Sequence, residues 1–133
     1  YMVSRETTHC AAHHQCTPFD RLKRKFYRSK SKENAMITLN AILKAKPGSE
    51  ETLHKALVEI GDYVSQNEPG TVGFFVGRDT SDASIFNTYE RFVDTEAMDA
   101  HNGSPYRAEW GDKYGDLFDG EITHYICEEI FSK

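Results

Sequence analysis

The chain has 133 residues and a formal net charge of −5, with 7 Tyr, 8 Phe and 1 Trp. This length predicts one domain, and the aromatic content can supply both a packed core and a ring-lined cavity. No apolar run approaches the roughly 20 residues that a membrane span needs, so we expect no membrane-spanning helix. Three cysteines do not suggest a disulfide framework, and we therefore expect a reducing, cytoplasmic setting.

Charge divides the sequence into two parts. Residues 1–35 carry eight Lys or Arg against three Asp or Glu, a balance of +5, whereas residues 36–133 carry eight against eighteen, a balance of −10. An acidic domain would repel nucleic-acid phosphates, so nucleic acid is not expected as its partner. Met36 stands directly before the first predicted strand. We therefore expect an N-terminal basic extension over 1–35 and a folded domain over 36–133.

The predicted extension holds two clusters of candidate chemistry. Thiols and imidazoles lie close together at Cys10, His13, His14 and Cys16. These groups suit zinc, but their spacing matches no familiar four-ligand framework, so a metal site and a loose arm are both open interpretations. In the stretch 21–32, seven of twelve residues are basic. That stretch could bind RNA or anionic lipid, belong to a targeting peptide, or lie as a solvated arm on the acidic domain.

The folded domain begins with a strand and a helix. Apolar residues alternate over 36–46, which predicts a strand with Leu39 on one face and Asn40 on the other. Pro-Gly ends this strand, and Ser49 is a candidate N-cap for a helix over 50–67. The apolar residues of this helix recur at helical spacing, which predicts one buried face.

A hairpin, a broken helix and a last strand complete the pattern. Strands are predicted over 71–79 and 84–93, with a polar turn between them. Asp94 can cap one short helix and Ser104 a second, whose first turn contains Pro. The last strand is expected over 121–131. The order β-α-β-β-α-β is the ferredoxin-like α+β arrangement with an antiparallel sheet.

Both faces of the predicted strands carry large apolar residues, as the neighbours Phe74 and Phe75 illustrate. A sheet with helices on one face and water on the other should alternate more cleanly. A second copy of the sheet is the simplest cover, so we predict a homodimer that forms an α/β barrel. Gly73 and Gly77 share a face with Phe75, and they could leave room for a ligand or be tolerated at a bend.

The domain resembles the antibiotic biosynthesis monooxygenase family. The resemblance rests on EPGTVGFFVGRD over 68–79 and YERFVDTEAMDAHNGSPY over 89–106, and it extends over about residues 36–131. The family implies a dimeric α/β barrel. Its activities include oxygenation of quinols and anthrones without metal or flavin, haem degradation and isomerisation of a sugar. Haem degradation is not expected here, because the position of the iron-ligating His falls near Trp110.

The resemblance implies a cofactor-independent monooxygenase that acts on a quinol or polyketide-like aromatic substrate and dioxygen, without a metal. Such a reaction needs a base, donors for the developing oxyanion and a dry cavity. The candidate catalytic residues are His101, Asn40 and Glu90, and the candidate substrate-binding residues are Tyr106, Trp110, Tyr89 and Phe75. We expect His101, Asn40, Tyr106 and Trp110 to lie near one pocket.

Each candidate residue also has a structural interpretation. His101 could fix the helix break through a backbone hydrogen bond, and Asn40 could bind a neighbouring group. Glu90 could pair with Arg91, Arg107 or the partner chain, and the aromatic residues could be ordinary core. His124 is interpreted as a core or interface histidine.

Two other functions remain open at this point. The domain could be a non-oxidative isomerase or a small-molecule-binding module on the same dimeric fold. Alternatively, the basic extension could tether the acidic dimer to RNA or to a membrane.

Overall fold

The computed structural model describes residues 35–133. The Cys and His cluster at 10–16 and the basic stretch at 21–32 lie outside these residues, so the interpretations of the extension stay predictions. Within the described part of the chain, no helix is both long enough and apolar enough to cross a membrane.

Within residues 35–133, four strands and three helices follow the predicted order. The strands are β1 (Ile37–Lys44), β2 (Thr71–Arg78), β3 (Ile85–Phe92) and β4 (Thr123–Glu128), and the helices are α1 (Glu50–Asn67), α2 (Thr95–Asn102) and α3 (Pro105–Tyr114). A 3₁₀ turn, Gly115–Leu117, follows α3. The strands form one antiparallel sheet in the order β2-β3-β1-β4. The prediction of a ferredoxin-like α+β fold is therefore confirmed.

Helix α1 packs on one face of the sheet through the apolar stripe that its spacing predicts. Its buried residues are Leu53, Ala56, Leu57, Ile60 and Val64. Ser49 occupies the N-cap position as predicted, but its side chain makes no capping hydrogen bond. Burial of a Leu, Ile or Val side chain contributes about 1.5–3 kcal/mol, so the stripe stabilises α1 more than its cap does.

Strands β1 and β3 place polar groups beside an apolar floor. Their register pairs Leu39 with Glu90 and Ala41 with Thr88. Paired residues share one face of a sheet, and all four of these are buried on the face that the helices cover. Burying a carboxylate is costly unless neighbouring groups compensate. Glu90 is therefore the residue of these four whose burial is the most costly.

The break between α2 and α3 is formed by the two caps that the sequence predicts. Asp94 accepts a hydrogen bond from the Ala97 backbone N–H at 2.8 Å. Ser104 accepts one from the Arg107 N–H at 3.1 Å, and both caps are therefore confirmed. His101 lies in the last turn of α2, where it is buried against the sheet.

The opposite face of the sheet has no cover within the described chain. Phe75, Tyr125 and Ile42 are 59%, 64% and 48% exposed on it. Gly73 makes room there for a neighbour, because a Cβ on Gly73 would lie 2.9 Å from the Phe75 ring. The second copy that the sequence predicts on this face stays a prediction.

Candidate functional site

A cavity of about 530 Å³ lies between the sheet and the helices. Most of its wall is apolar, with Leu39 and Ala41 from the sheet, Leu57 from α1 and Trp110 from α3. Its polar residues are Thr88, Glu90, His101, Asn102, Arg107 and His124. An apolar cavity with a few polar groups is the usual form of a small-molecule site.

His101 lies between two carboxylates. Its Nδ1 is 2.7 Å from Oε2 of Glu68, and its Nε2 is 3.5 Å from Oε2 of Glu90. The His101 side chain is only 3% exposed, so solvent screens these interactions weakly. A proton on Nδ1, donated to Glu68, leaves Nε2 to face Glu90 and the cavity. We name these three residues the Glu68–His101–Glu90 row.

Glu68 is held in place at the end of α1. Its Oε2 also accepts a hydrogen bond from the Thr71 hydroxyl at 2.9 Å. Its backbone N–H donates to the Val64 carbonyl at 3.0 Å, and Pro69 and Gly70 then lead the chain into β2. Because the backbone N–H and the carboxylate of Glu68 are both hydrogen-bonded, the carboxylate is held in position beside His101.

Glu90 has one satisfied oxygen and one unsatisfied oxygen. Oε1 accepts a hydrogen bond from the Thr88 hydroxyl at 3.0 Å. Oε2 is buried and has no hydrogen-bond donor among the described residues, because 3.5 Å from His101 is too long for a good hydrogen bond. Burial raises the pKa of the Glu90 carboxyl above its ordinary value, although the charge of His101 and the Thr88 hydrogen bond oppose this shift. A buried acid with a raised pKa is a candidate for proton transfer.

The arginines expected beside Glu90 do not hold it. Arg91 lies on the opposite face of the sheet and forms two hydrogen bonds to Glu129, at 2.7 and 2.8 Å. Arg107 lines the cavity, and its charge partly offsets the effect of burial on the pKa of Glu90. Glu90 therefore lines the cavity as a buried carboxyl that no arginine pairs with directly.

Three of the candidate residues lie on the other side of the sheet. Asn40 pairs with Tyr89, which in turn pairs with Phe75, and the row faces away from the helices. The expectation that Asn40 and His101 share one pocket is wrong, because neighbouring residues of a strand point to opposite faces and Leu39 faces the cavity. The catalytic role of Asn40 and the substrate-binding roles of Tyr89 and Phe75 stay predictions.

The two aromatic candidates of α3 differ in position. Trp110 lines the cavity, but its Nε1–H donates to the Ala56 carbonyl at 2.8 Å, so it offers a ring and not a free donor. Tyr106 does not line the cavity. Its ring stacks on Tyr63 with centroids 3.6 Å apart, and its hydroxyl donates to Glu59 at 3.4 Å.

Several residues of the site were not predicted to belong to it, and Glu68 and His124 are the two titratable ones on which its chemistry most depends. Glu68 entered the sequence analysis only as the first residue of the stretch 68–79, and its contact with His101 joins residues 33 positions apart, so no local pattern indicates it. His124 was interpreted as a core or interface histidine, but it is exposed and lines the cavity. The alternation of Ile122, His124 and Ile126 along the last strand indicated that His124 shares a face with the two isoleucines. The described residues contain no group of three or more His, Cys, Asp or Glu arranged to hold a metal ion.

Comparison with known proteins relates the sequence to one family. The family model described as antibiotic biosynthesis monooxygenase matches residues 36–113. No curated protein is significantly similar in sequence.

Solved structures share the fold at low sequence identity. A candidate antibiotic biosynthesis monooxygenase from Caulobacter crescentus CB15 has a TM-score of 0.70 and 20% identity, covering 79% of this chain and 99% of its own. Rv0793 from Mycobacterium tuberculosis has a TM-score of 0.67 and 16% identity, covering 74% and 98%. PA3566 from Pseudomonas aeruginosa has a TM-score of 0.66 and 21% identity, covering 73% and 96%. Such distant likeness shows the fold alone.

Proposed function

The chain belongs to the antibiotic biosynthesis monooxygenase family, and from this premise we propose that it is a cytoplasmic, cofactor-independent monooxygenase acting on a quinol or polyketide-like aromatic substrate. The observation that carries the proposal is the buried Glu68–His101–Glu90 row at the polar end of an apolar cavity. The row supplies acid–base groups, and the cavity supplies a site for a flat, apolar ring.

The first step is removal of a proton from a substrate hydroxyl. Glu90 lines the cavity, and its Oε2 is buried without a donor among the described residues, so a rotation of the carboxyl toward the cavity would let a substrate hydroxyl supply the missing hydrogen bond and then its proton. His101 Nε2, 3.5 Å away, can take up that proton, and Glu68 at 2.7 Å stabilises the resulting imidazolium. Glu90 and His101 are the catalytic residues of this proposal, and Glu68 is a positioning residue.

The aromatic anion then reduces dioxygen. The substrate supplies all four electrons that dioxygen takes up: one oxygen atom replaces hydrogen on a ring carbon and ends as a carbonyl, and the other leaves as water with the two hydrogens that the substrate loses, so no external reductant is required. Trp110 and Leu57 place apolar surface against the anion on the helix side of the cavity, where electrostatic interactions are strengthened, whereas the wall at β4 is open, since His124 and Ile126 are exposed.

The proposal includes a homodimer through the open face of the sheet. On this face, Phe75 is 59% exposed and Tyr125 is 64% exposed. Large apolar side chains that are exposed on one face of a sheet often mark an interaction site. A second copy would cover both residues. Asn40 and Tyr89 would then lie at the dimer interface rather than in the cavity of their own chain.

Oxygen uptake with a panel of quinols tests the oxygenase. Wild-type protein should consume oxygen, and His101→Ala should lose about 100-fold or more of the rate, the usual contribution of a positioned acid–base group. His54→Ala is the matched control, because His54 is exposed on α1 and does not line the cavity. Wild-type protein without turnover, or His101→Ala with unchanged turnover in a folded chain, would refute the oxygenase.

The second candidate function is non-oxidative isomerisation or small-molecule binding. The same row favours it, because two acid–base groups 3.5 Å apart can move a proton between two atoms of a ligand without dioxygen. This function predicts that an aromatic or aldehyde ligand raises the melting temperature while oxygen consumption stays at the background rate.

A further inference from the structure

Arg107 differs from the two other arginines of the described chain. Arg78 binds Glu51 and Arg91 binds Glu129, each with a nitrogen 2.7 Å from a carboxylate oxygen. Arg107 forms no ion pair with any described residue. It occupies an exposed position of α3 and lines the cavity. Its guanidinium is therefore available to a ligand in a way that the other two are not.

The lack of a partner for Arg107 is unexpected in so acidic a domain. Residues 36–133 carry eighteen Asp or Glu against eight Lys or Arg. Side chains three and four residues apart are neighbours on the surface of a helix. The neighbours of Arg107 within α3 and its cap are Ser104, Trp110 and Gly111, and none of them is acidic. The position of Arg107 along α3 thus keeps its charge away from the carboxylates of its own helix.

Gly111 leaves space beside this guanidinium. It follows Arg107 by about one helical turn, and it also lines the cavity. A Cβ built on Gly111 would meet no atom within 4 Å, so packing does not require a glycine there. Glycine is less favourable than alanine inside a helix. The cavity wall therefore has an open place next to a charge that no described residue neutralises.

The charge of Arg107 also acts inside the cavity. Burial raises the pKa of the Glu90 carboxyl, and the charge of Arg107 is among the effects that oppose this shift. Trp110 offers an apolar ring surface to the cavity about one turn along α3. A ligand anion beside Arg107 would stay near water at the rim, while the ring that carries it would lie against apolar side chains. Such an arrangement avoids the cost of burying a charge.

A carboxylate suits this position better than a phosphate does. A guanidinium binds a carboxylate through two parallel N–H···O hydrogen bonds, and one positive charge balances one negative charge. A phosphate ester brings a charge of about −1.5 to −2 at pH 7. Only part of that charge would be balanced by Arg107, and the acidic domain would repel the remainder.

We propose that the cavity binds an aromatic monocarboxylate, with the carboxylate paired to Arg107 at the rim and the ring on the apolar wall beside Trp110. The inference rests on the proposed function only in placing a small aromatic molecule in this cavity, and it applies to an oxygenase and to a non-oxidative protein alike. It makes Arg107 a specificity-determining residue.

Anaerobic titration calorimetry with 2-naphthoate and its neutral analogue 2-naphthamide tests the proposal. Wild-type protein should bind 2-naphthoate about tenfold more tightly, a modest value for a charge-assisted pair because Arg107 is exposed. This preference should shrink as the salt concentration rises. Arg107→Gln should abolish it and leave the affinity for 2-naphthamide unchanged. Arg107→Lys keeps the charge without the planar guanidinium and should retain part of the preference.

Lys55→Gln is the matched control, because Lys55 is exposed on α1, does not line the cavity and carries the same charge. It should keep the full preference for 2-naphthoate. A preference that survives in Arg107→Gln, a preference lost equally in Lys55→Gln, or a wild-type protein that binds the two probes equally or binds neither would overturn the inference.

A third probe, 2-naphthyl phosphate, separates a carboxylate site from a phosphate site. It should bind no more tightly than 2-naphthoate. Tighter binding of the phosphate that is lost in Arg107→Gln would overturn the assignment to a carboxylate.

Oxygen uptake with the quinol panel separates this inference from the proposed function. Uptake by a protein that shows no preference for 2-naphthoate would support the oxygenase and overturn the role of Arg107. A preference that depends on Arg107, in a protein that consumes no oxygen with any quinol, would support the role of Arg107 and refute the oxygenase.

Discussion

Replacing Glu90 with Gln should stabilise the protein near pH 8 and have almost no effect near pH 4. Burial raises the pKa of Glu90 in the folded chain above its ordinary value of 4.5. The folded chain therefore holds this proton more tightly than the unfolded chain does. The stability that this group contributes is complete below pH 4.5 and is lost as the pH rises through the folded-state pKa. Gln cannot ionise, so the variant avoids this loss.

The size of the effect follows from the surroundings of the carboxyl. Each unit of pKa difference corresponds to about 1.4 kcal/mol, and a buried acceptor without a donor costs about 1–3 kcal/mol. The Gln amide can keep the Thr88 hydrogen bond and turn its N–H toward His101 Nε2, which is 3.5 Å from the present oxygen. We expect Glu90→Gln to raise the free energy of unfolding by about 1–2 kcal/mol at alkaline pH.

Urea unfolding across this pH range measures the difference between the two proteins. Glu121→Gln, at an exposed position, controls for the removal of one negative charge. A difference that does not change with pH would show that burial does not perturb Glu90. A variant that is less stable than wild type near pH 8 would show that a charged Glu90, attracted by His101, is the more stable state.

Glu68→Gln should lower oxygen uptake at least about tenfold with little change in melting temperature, because the amide still accepts from His101 but no longer stabilises its protonated form. Unchanged turnover would contradict the positioning role. Trp110→Phe should lower the free energy of unfolding by about 1 kcal/mol in urea, since it removes the hydrogen bond that joins α3 to the Ala56 carbonyl, which keeps its bond within α1. An unaltered urea midpoint would show that this bond adds nothing. Phe75→Asp should give a monomeric mass in light scattering, because the proposed interface would bury a charge, whereas wild-type protein that is already monomeric would rule out the dimer.

The fold was predictable because its determinants are local. Alternation in the strands and helical spacing in α1 each depend on a few consecutive residues. The caps Asp94 and Ser104 act within three residues of their own positions, and both were predicted correctly. Ser49 shows the limit of this approach, because it occupies the expected place while its hydroxyl makes no capping bond.

The site was only partly predictable because its determinants are distant in sequence. The contact between Glu68 and His101 depends on how α1 and α2 meet over the sheet, and no periodicity encodes that meeting. Asn40 is a different case. Its place between Leu39 and Ala41 already assigned it to the opposite face, so strand alternation, applied strictly, separates it from the cavity.

Helix α3 is joined to its neighbour at a few separate points. None of its residues is fully buried, and its bonds to α1 include the stacking of Tyr106 on Tyr63 and the hydrogen bonds of Trp110 and Tyr114. Substitutions at Arg107 and Gly111, which line the cavity from exposed positions of α3, should cost the domain little folding stability, unlike substitutions at Trp110. Residues on the α3 side of the cavity can therefore change one at a time during evolution while the strands of the sheet stay the same. This separation offers a physical reason why a single scaffold serves unlike reactions.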